Sequence, residues 1–361
     1  MLVNRKNVVA RSAAMVVVGL MSWLSMTSAG AVTIDWVTVG DSGNVNDPRT
    51  YTNAGAVAYD YRIMKFEFTN SQYTAFLNAI DPSGTNPNGV YTSSMGSDAR
   101  GGISFTSGNA AGRKYAVRSN MGDKPVNFVS WWDAARVSNW LHNGARTYAS
   151  TDSSATAPQN TGAYTVGTTT LGPAVTVNPG AQVYVPTDSE WYKAAFYDPT
   201  LNGGAGGYRV YGNGFDTTPG IVSADAYGVG SAGGTGNFAN YNWGADWNGQ
   251  DGNVTTVGTN GGASYYGAFD MSGNILEWTD SDDVNGALTR RQRGGYWYFG
   301  DENLQSGYAA QSSPSAEADI FGFRLASPVA VPEPSTWVMA GAGLAWAGWG
   351  AWRRRRCSER R

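Results

Sequence analysis

The 361-residue chain contains one cysteine, Cys357, which lies behind the run Arg353–Arg356 near the C-terminus. Everything upstream must hold its shape without a disulfide. That condition is demanding here, because 48 glycines and long Ser/Thr/Asn-rich stretches give the chain much backbone entropy to lose on folding. With no disulfide available, bound metal is the expected fastener of the irregular segments. The missing thiols also remove every cysteine metal site from the body of the protein.

The two ends read as addresses. Arg5, Lys6 and Arg11 flank the start of the apolar stretch Ala13–Leu24, and Ala29-Gly30-Ala31 supplies a small-x-small cleavage pattern. Residues 1–31 are therefore expected to be a signal peptide cut by signal peptidase, since the apolar run is short for a span of ~20 residues. At the other end, Val331-Pro332-Glu333-Pro334-Ser335-Thr336 leads into the apolar segment Trp337–Trp352, and four arginines follow. Adjacent cations stay on the cytoplasmic side of a bilayer, and the prolines keep the strip before the span extended. Residues 332–361 resemble the PEP-CTERM signal. The resemblance implies a transmembrane helix over 337–352, an Arg-rich cytoplasmic tail and an exosortase-type sorting enzyme as partner. The expected route is export, transient anchoring in the inner membrane, then display on the cell surface or in the extracellular matrix.

Removing both ends takes away nine of the 25 cations and two of the 28 acids. The body, residues 32–331, keeps 16 Lys+Arg against 26 Asp+Glu, a net charge of about −10. Nucleic acid is excluded as a partner, because phosphate binding needs basic patches. An acidic body suits hard cations instead.

Helical periodicity is clear in few places. Asn70 is the expected N-cap of a helix over Ser71–Ile80, with Tyr73, Phe76, Leu77 and Ile80 on one face. Trp132–His142 carries a second stripe, and Thr187-x-x-Glu190 is a capping box ahead of Trp191, Ala194 and Ala195. Ala56–Phe68 alternates as a strand does, and Gly294–Phe299 and Gly322–Ala326 read as late strands. Residues 150–179 have no period and are expected to form a surface insertion; Asn202–Gly236 is similarly glycine-rich. The fold class expected is α+β, a single irregular, loop-rich domain.

Six segments carry a family pattern in order: Phe66-Glu67-Phe68-Thr69-Asn70-Ser71-Gln72-Tyr73, Pro125–Trp131, Val185–Trp191, Gly273-Asn274-Ile275-Leu276-Glu277-Trp278, Arg293-Gly294-Gly295-Tyr296-Trp297 and Gly322-Phe323-Arg324. Over Thr38–Ala326 they resemble the sulfatase-modifying factor family, which includes the formylglycine-generating enzymes and implies a C-type-lectin-like core. The segment Asp270–Glu277 also invites a metal on its own chemistry. It sets two carboxylates seven residues apart, Gly273 lets the chain curl, and calcium takes ~6–8 oxygens. The resemblance implies structural calcium there, on Asp270, the Gly273 and Ile275 carbonyls and Glu277. It implies a second calcium on Asn240, the Tyr241 carbonyl, Asp251 and the Asn253 carbonyl.

Formylglycine generation needs copper on two thiolates, and soft ligands of that kind are what hold Cu(I). The matching positions here fall near Leu304 and on Tyr308, so no copper is expected. Related sulfoxide synthases hold iron on several histidines, whereas this chain has only His142, expected to act as a cation near a helix C-terminus. The pairs Asp282/Asp283 and Asp301/Glu302 read as solvated loop charges. The chain is therefore expected to be an exported surface or matrix protein that keeps the scaffold without its catalysis and binds glycan or protein. The expected cleft draws on Trp243, Trp247, Trp278, Tyr296, Trp297 and Tyr298, with Arg324 either beside it or a structural hydrogen-bond hub. The alternatives are a metal-dependent oxidoreductase of the formylglycine-generating or nonheme-iron type with a rearranged site, and a matrix protein with no specific ligand.

Overall fold

A computed structural model describes residues 32–50, 53–170, 175–282 and 288–329. The expected signal peptide and the sorting tail with its apolar span lie outside the described residues. Among the described residues no helix is long and apolar enough to cross a membrane.

Three helices, α1 (Asn70–Ile80), α2 (Trp131–His142) and α3 (Asp188–Phe196), each start at a reciprocal capping box. Each box satisfies two of the amides that a helix start leaves unpaired. Thr187 and Glu190 form the third as expected. The first cap is Thr69 rather than Asn70: its hydroxyl accepts from the Gln72 N–H while the Gln72 side chain accepts from the Thr69 N–H. Asn70 is buried instead, its amide donating to the carbonyls of Met121, Lys124 and Pro125. Tyr73, Phe76, Leu77 and Ile80 fall on the buried face of α1 as their spacing predicts.

Two sheets frame the core. In the first, β2 (Tyr61–Met64) lies between β1 (Trp36–Val39) and β7 (Ala326–Pro328), antiparallel to both. In the second, the order is β5 (Ala310–Ser312), β4 (Arg290–Arg293), β3 (Leu276–Asp282) and β6 (Phe321–Gly322), with β6 parallel to β3. The long strand expected over Ala56–Phe68 shrinks to β2, because the Ala56 and Val57 amides are taken by the Asn46 and Asn44 side chains. The strand expected over Gly294–Phe299 does not form. Gly294 and Gly295 take φ +96° and +70°, ending β4 at Arg293 and turning the aromatics after it into a loop. The stretch Gly322–Ala326 divides between β6 and β7, so Phe323-Arg324-Leu325 crosses from one sheet to the other. Nor is 150–179 wholly peripheral: Ala163, Tyr164 and Val166 are buried in the larger apolar cluster.

The crossing carries the central ion pair. Arg324 and Glu277 are both 0% exposed. The Arg324 Nε and Nη2 atoms donate to Glu277 Oε2 and Oε1, each at 2.6 Å, and the Trp191 Nε1–H of α3 donates to Glu277 Oε2 at 2.8 Å. Remaining guanidinium donors reach the Met64 carbonyl at the end of β2 and the Phe269 carbonyl. One pair thus joins both sheets, α3 and the loop before β3. On β4, Arg291 and Arg293 pair with Asp188, the first residue of α3.

Removing one partner of a buried pair strands the other charge, at a cost of about 3–5 kcal/mol. Glu277→Gln is expected to lose that much in urea denaturation; a loss under about 1 kcal/mol would place the pair among weak surface bridges. A second expectation concerns Asp133 in the α2 capping box. Burial pushes its carboxyl up to about 6, although hydrogen bonds from Ser130 favour the ionised form. The folded state holds that proton more tightly than the unfolded chain, so its stabilisation is full below the ordinary carboxylate pKa and lost as pH rises through about 6. Asp133→Asn cannot ionise, so relative to the parent it should gain about 3 kcal/mol between acid and mildly alkaline pH. A pH-independent difference would refute the assignment.

Candidate functional site

The residues of the first expected calcium set come together with Glu67, Asn274 and Arg324 in one buried polar cluster. Left-handed backbone at Asp270, Gly273 and Asn274 curls the segment, as the position of Gly273 suggests. Both oxygens of Glu277 are engaged by Arg324 and Trp191. The Asp270 oxygens accept from the Gly258 N–H and the Asn260 amide, and the Gly273 carbonyl accepts from the Ile275 N–H. Glu67 Oε1 accepts from Asn274, while Oε2 faces no donor among the described residues. Burial, and then the neighbouring Asp270 carboxylate, push the Glu67 carboxyl well above the ordinary range. Among the described residues no three carboxylates, histidines or thiols are arranged to hold a metal. A calcium ion here would have to share Glu277 with a guanidinium that already supplies the positive charge, so this set fits the ion poorly.

The second set fits better. Asn240 is fully buried, and its Oδ1 has no donor among the described residues. Its Nδ2 donates to the Asn253 carbonyl at 2.8 Å, which brings that carbonyl alongside. An unpaired buried oxygen costs about 1–3 kcal/mol, and a hard cation would satisfy it. Asp251 is exposed, and its carbonyl accepts from Arg100; the Tyr241 carbonyl accepts from the Gly244 N–H.

The aromatic residues divide into core and surface. Trp278 is a core residue rather than a cleft residue, with its Nε1–H donating to the Val129 carbonyl and its ring against Phe321. Trp247 is also buried, its Nε1–H bonded to the Val254 carbonyl. Arg324 is the structural hub described above and lines no cleft. Tyr296 and Trp297 are buried as well, but they support a surface. Over them lie Trp243, 40% exposed, Tyr298, 38%, and Phe299, 41%. Trp243 meets Tyr298 edge-on at 4.0 Å, and Tyr298 stacks on Phe299 at 4.9 Å.

The backbone holds this shelf in place. The Asn242 and Trp243 amides donate to the carbonyls of Phe299 and Trp297, and Trp243 sits at φ +59°. Gly252 passes beneath, where a Cβ would come within 2.9 Å of the Trp297 ring and 3.0 Å of Trp243. The Arg100 guanidinium lies 4.1 Å from the Trp297 ring centroid. The Trp297 Nε1–H is buried without an acceptor among the described residues. Phe299 was not among the expected cleft residues. Its signal was the Gly294-Gly295 pair, which ends the strand and turns the aromatics after it into a loop.

The positions matching the redox ligands are otherwise occupied. Leu304 is buried in a small apolar cluster with Tyr211, Ala239 and Tyr241, and the Tyr308 carbonyl accepts from Arg293 at 2.7 Å. His142 lies in the last turn of α2, as expected, and its Nδ1 accepts from the Gln182 N–H at 3.1 Å. Asp301 accepts from the Tyr211 and Thr218 hydroxyls and Asp282 pairs with Arg290. Asp283 lies outside the described residues.

A model of the sulfatase-modifying factor enzyme 1-like domain matches residues 27–329, and one of the PEP-CTERM protein-sorting motif matches 330–356. No curated protein matches the chain. Among solved structures it is similar to Treponema denticola variable protein 1, at 18% identity over 84% of this chain and 98% of that one, with a TM-score of 0.48. CarF is similar at 21% identity over 82% and 99%, with a TM-score of 0.48. PvdO from Pseudomonas aeruginosa is similar at 15% identity over 82% and 93%, with a TM-score of 0.38. The matched family span takes in both sheets, the three helices and the shelf: the chain belongs to the sulfatase-modifying factor enzyme 1-like family and ends in a PEP-CTERM sorting motif.

Proposed function

We propose that the exported body is a non-catalytic binding module, displayed at the cell surface or in the matrix, with the Trp243–Tyr298–Phe299 shelf as its contact surface. The observation that carries this reading is the placement of Trp243. A bulky residue at positive φ costs on the order of 1–3 kcal/mol, and here that strain holds a half-exposed indole beside two further exposed rings. Contiguous exposed aromatics of this kind mark contact surfaces. The sorting motif supports a location where glycans and surface proteins are the available ligands.

Structural calcium belongs to the proposal at the Asn240 set, where the unpaired Oδ1 supports it. A cation bound by the folded state alone adds RT ln(1+[L]/Kd), about 2.7 kcal/mol at a hundred times Kd. Excess chelator is therefore expected to lower the melting temperature, and an unchanged melt would remove calcium from the proposal. Metal analysis of the purified body addresses catalysis: calcium without copper or iron fits the binding module, whereas stoichiometric copper or iron would replace it with the oxidoreductase. For the shelf, Trp243→Ala should abolish co-sedimentation with the producing cells' extracellular matrix while leaving the near-ultraviolet circular dichroism of the buried indoles in place. Undiminished co-sedimentation would move the contact surface elsewhere.

A further inference from the structure

The shelf has an acidic margin. Asp246 and Asp251 are exposed on the loop that carries Trp243, and the Gly252 N–H donates to Asp246. On the other side Asp301 and the exposed Glu302 follow Phe299 after Gly300, and Glu302 folds back over Gly300. Arg100 is the cation in contact with these aromatics. Its guanidinium is used internally, over Trp297 and on the carbonyls of Asp251 and Gly252. Four carboxylates thus lie on the two segments that carry the three exposed rings, on a body whose net charge is about −10.

Such a surface selects its ligand by charge. Polyuronates and other anionic glycans are repelled, since a field of one sign acts over about a Debye length of 8–10 Å. A neutral glycan gains only the stacking. A sugar bearing an ammonium group gains stacking on the ring faces, cation–π attraction and the carboxylates at the rim. From the exposed rings and their acidic margin we infer that the shelf binds a polysaccharide carrying free amino groups, a polymer of unacetylated hexosamine. The inference rests on the binding-module reading and names its ligand class.

Calorimetric titration of the full exported body tests it, with oligomers of glucosamine, N-acetylglucosamine and a uronic acid at pH about 6, below the usual amine pKa. The glucosamine oligomer should bind about tenfold more tightly than its acetylated counterpart. That advantage should shrink between about 20 mM and about 500 mM salt. Glu302→Gln should reduce affinity for the amine form alone, and Trp243→Ala should abolish binding. Trp243-dependent binding of the acetylated or uronate oligomer with equal or greater affinity overturns the amine and leaves the binding module standing. Failure of all three oligomers to bind the parent protein overturns the amine and the glycan-binding role of the shelf together.

Discussion

The fold depends on a guanidinium placed where no solvent reaches. Arg324 sits between two sheets, and its partner Glu277 is held from a second direction by Trp191. A charge this deep is tolerated only when it is matched and hydrogen-bonded on every side. That requirement fixes the position of β2, β3, α3 and the Phe269 loop relative to one another. Without disulfides, directional contacts of this kind carry the work of fastening. Asp188 repeats the arrangement at smaller scale, anchoring the start of α3 to two arginines of β4.

The same cluster explains why calcium fits less well where the family pattern first suggests it. Two carboxylates seven residues apart read as cation ligands in a sequence. In the fold a resident side chain supplies the cation for one of them. Burial raises the pKa of both Glu67 and Asp270, and the Asp270 carboxylate raises that of Glu67 further. One of the oxygens left unpaired among the described residues is on a neutral amide, Asn240, which charge counting passes by.

Much of the fold was legible because it rests on local chemistry. Capping boxes announce helix starts, and the stripe of α1 is a matter of spacing. The errors arose where distant groups compete for the backbone. Asn44 and Asn46 take the amides that a longer β2 needs, and nothing near Ala56 signals this. Exposure was the least legible property. Trp278 and Trp243 are the same residue type in similar glycine-rich company, yet one is sealed under Phe321 and the other faces solvent. The difference lies in a left-handed backbone turn and in Gly252, which leaves room for two indoles, and both are features of tertiary structure.

The path of the chain into β7 has a mechanical consequence. This strand is the last paired element before the sorting motif, and it lies antiparallel against β2 with Arg324 two residues upstream. Tension applied through the tail, while the body is tethered, acts along the strand axis. It loads the ladder to β2 in shear, so that the hydrogen bonds share the force and do not open one at a time. Behind them the guanidinium acts as a stop, since sliding the strand outward would drag a buried charge out of its only matching site.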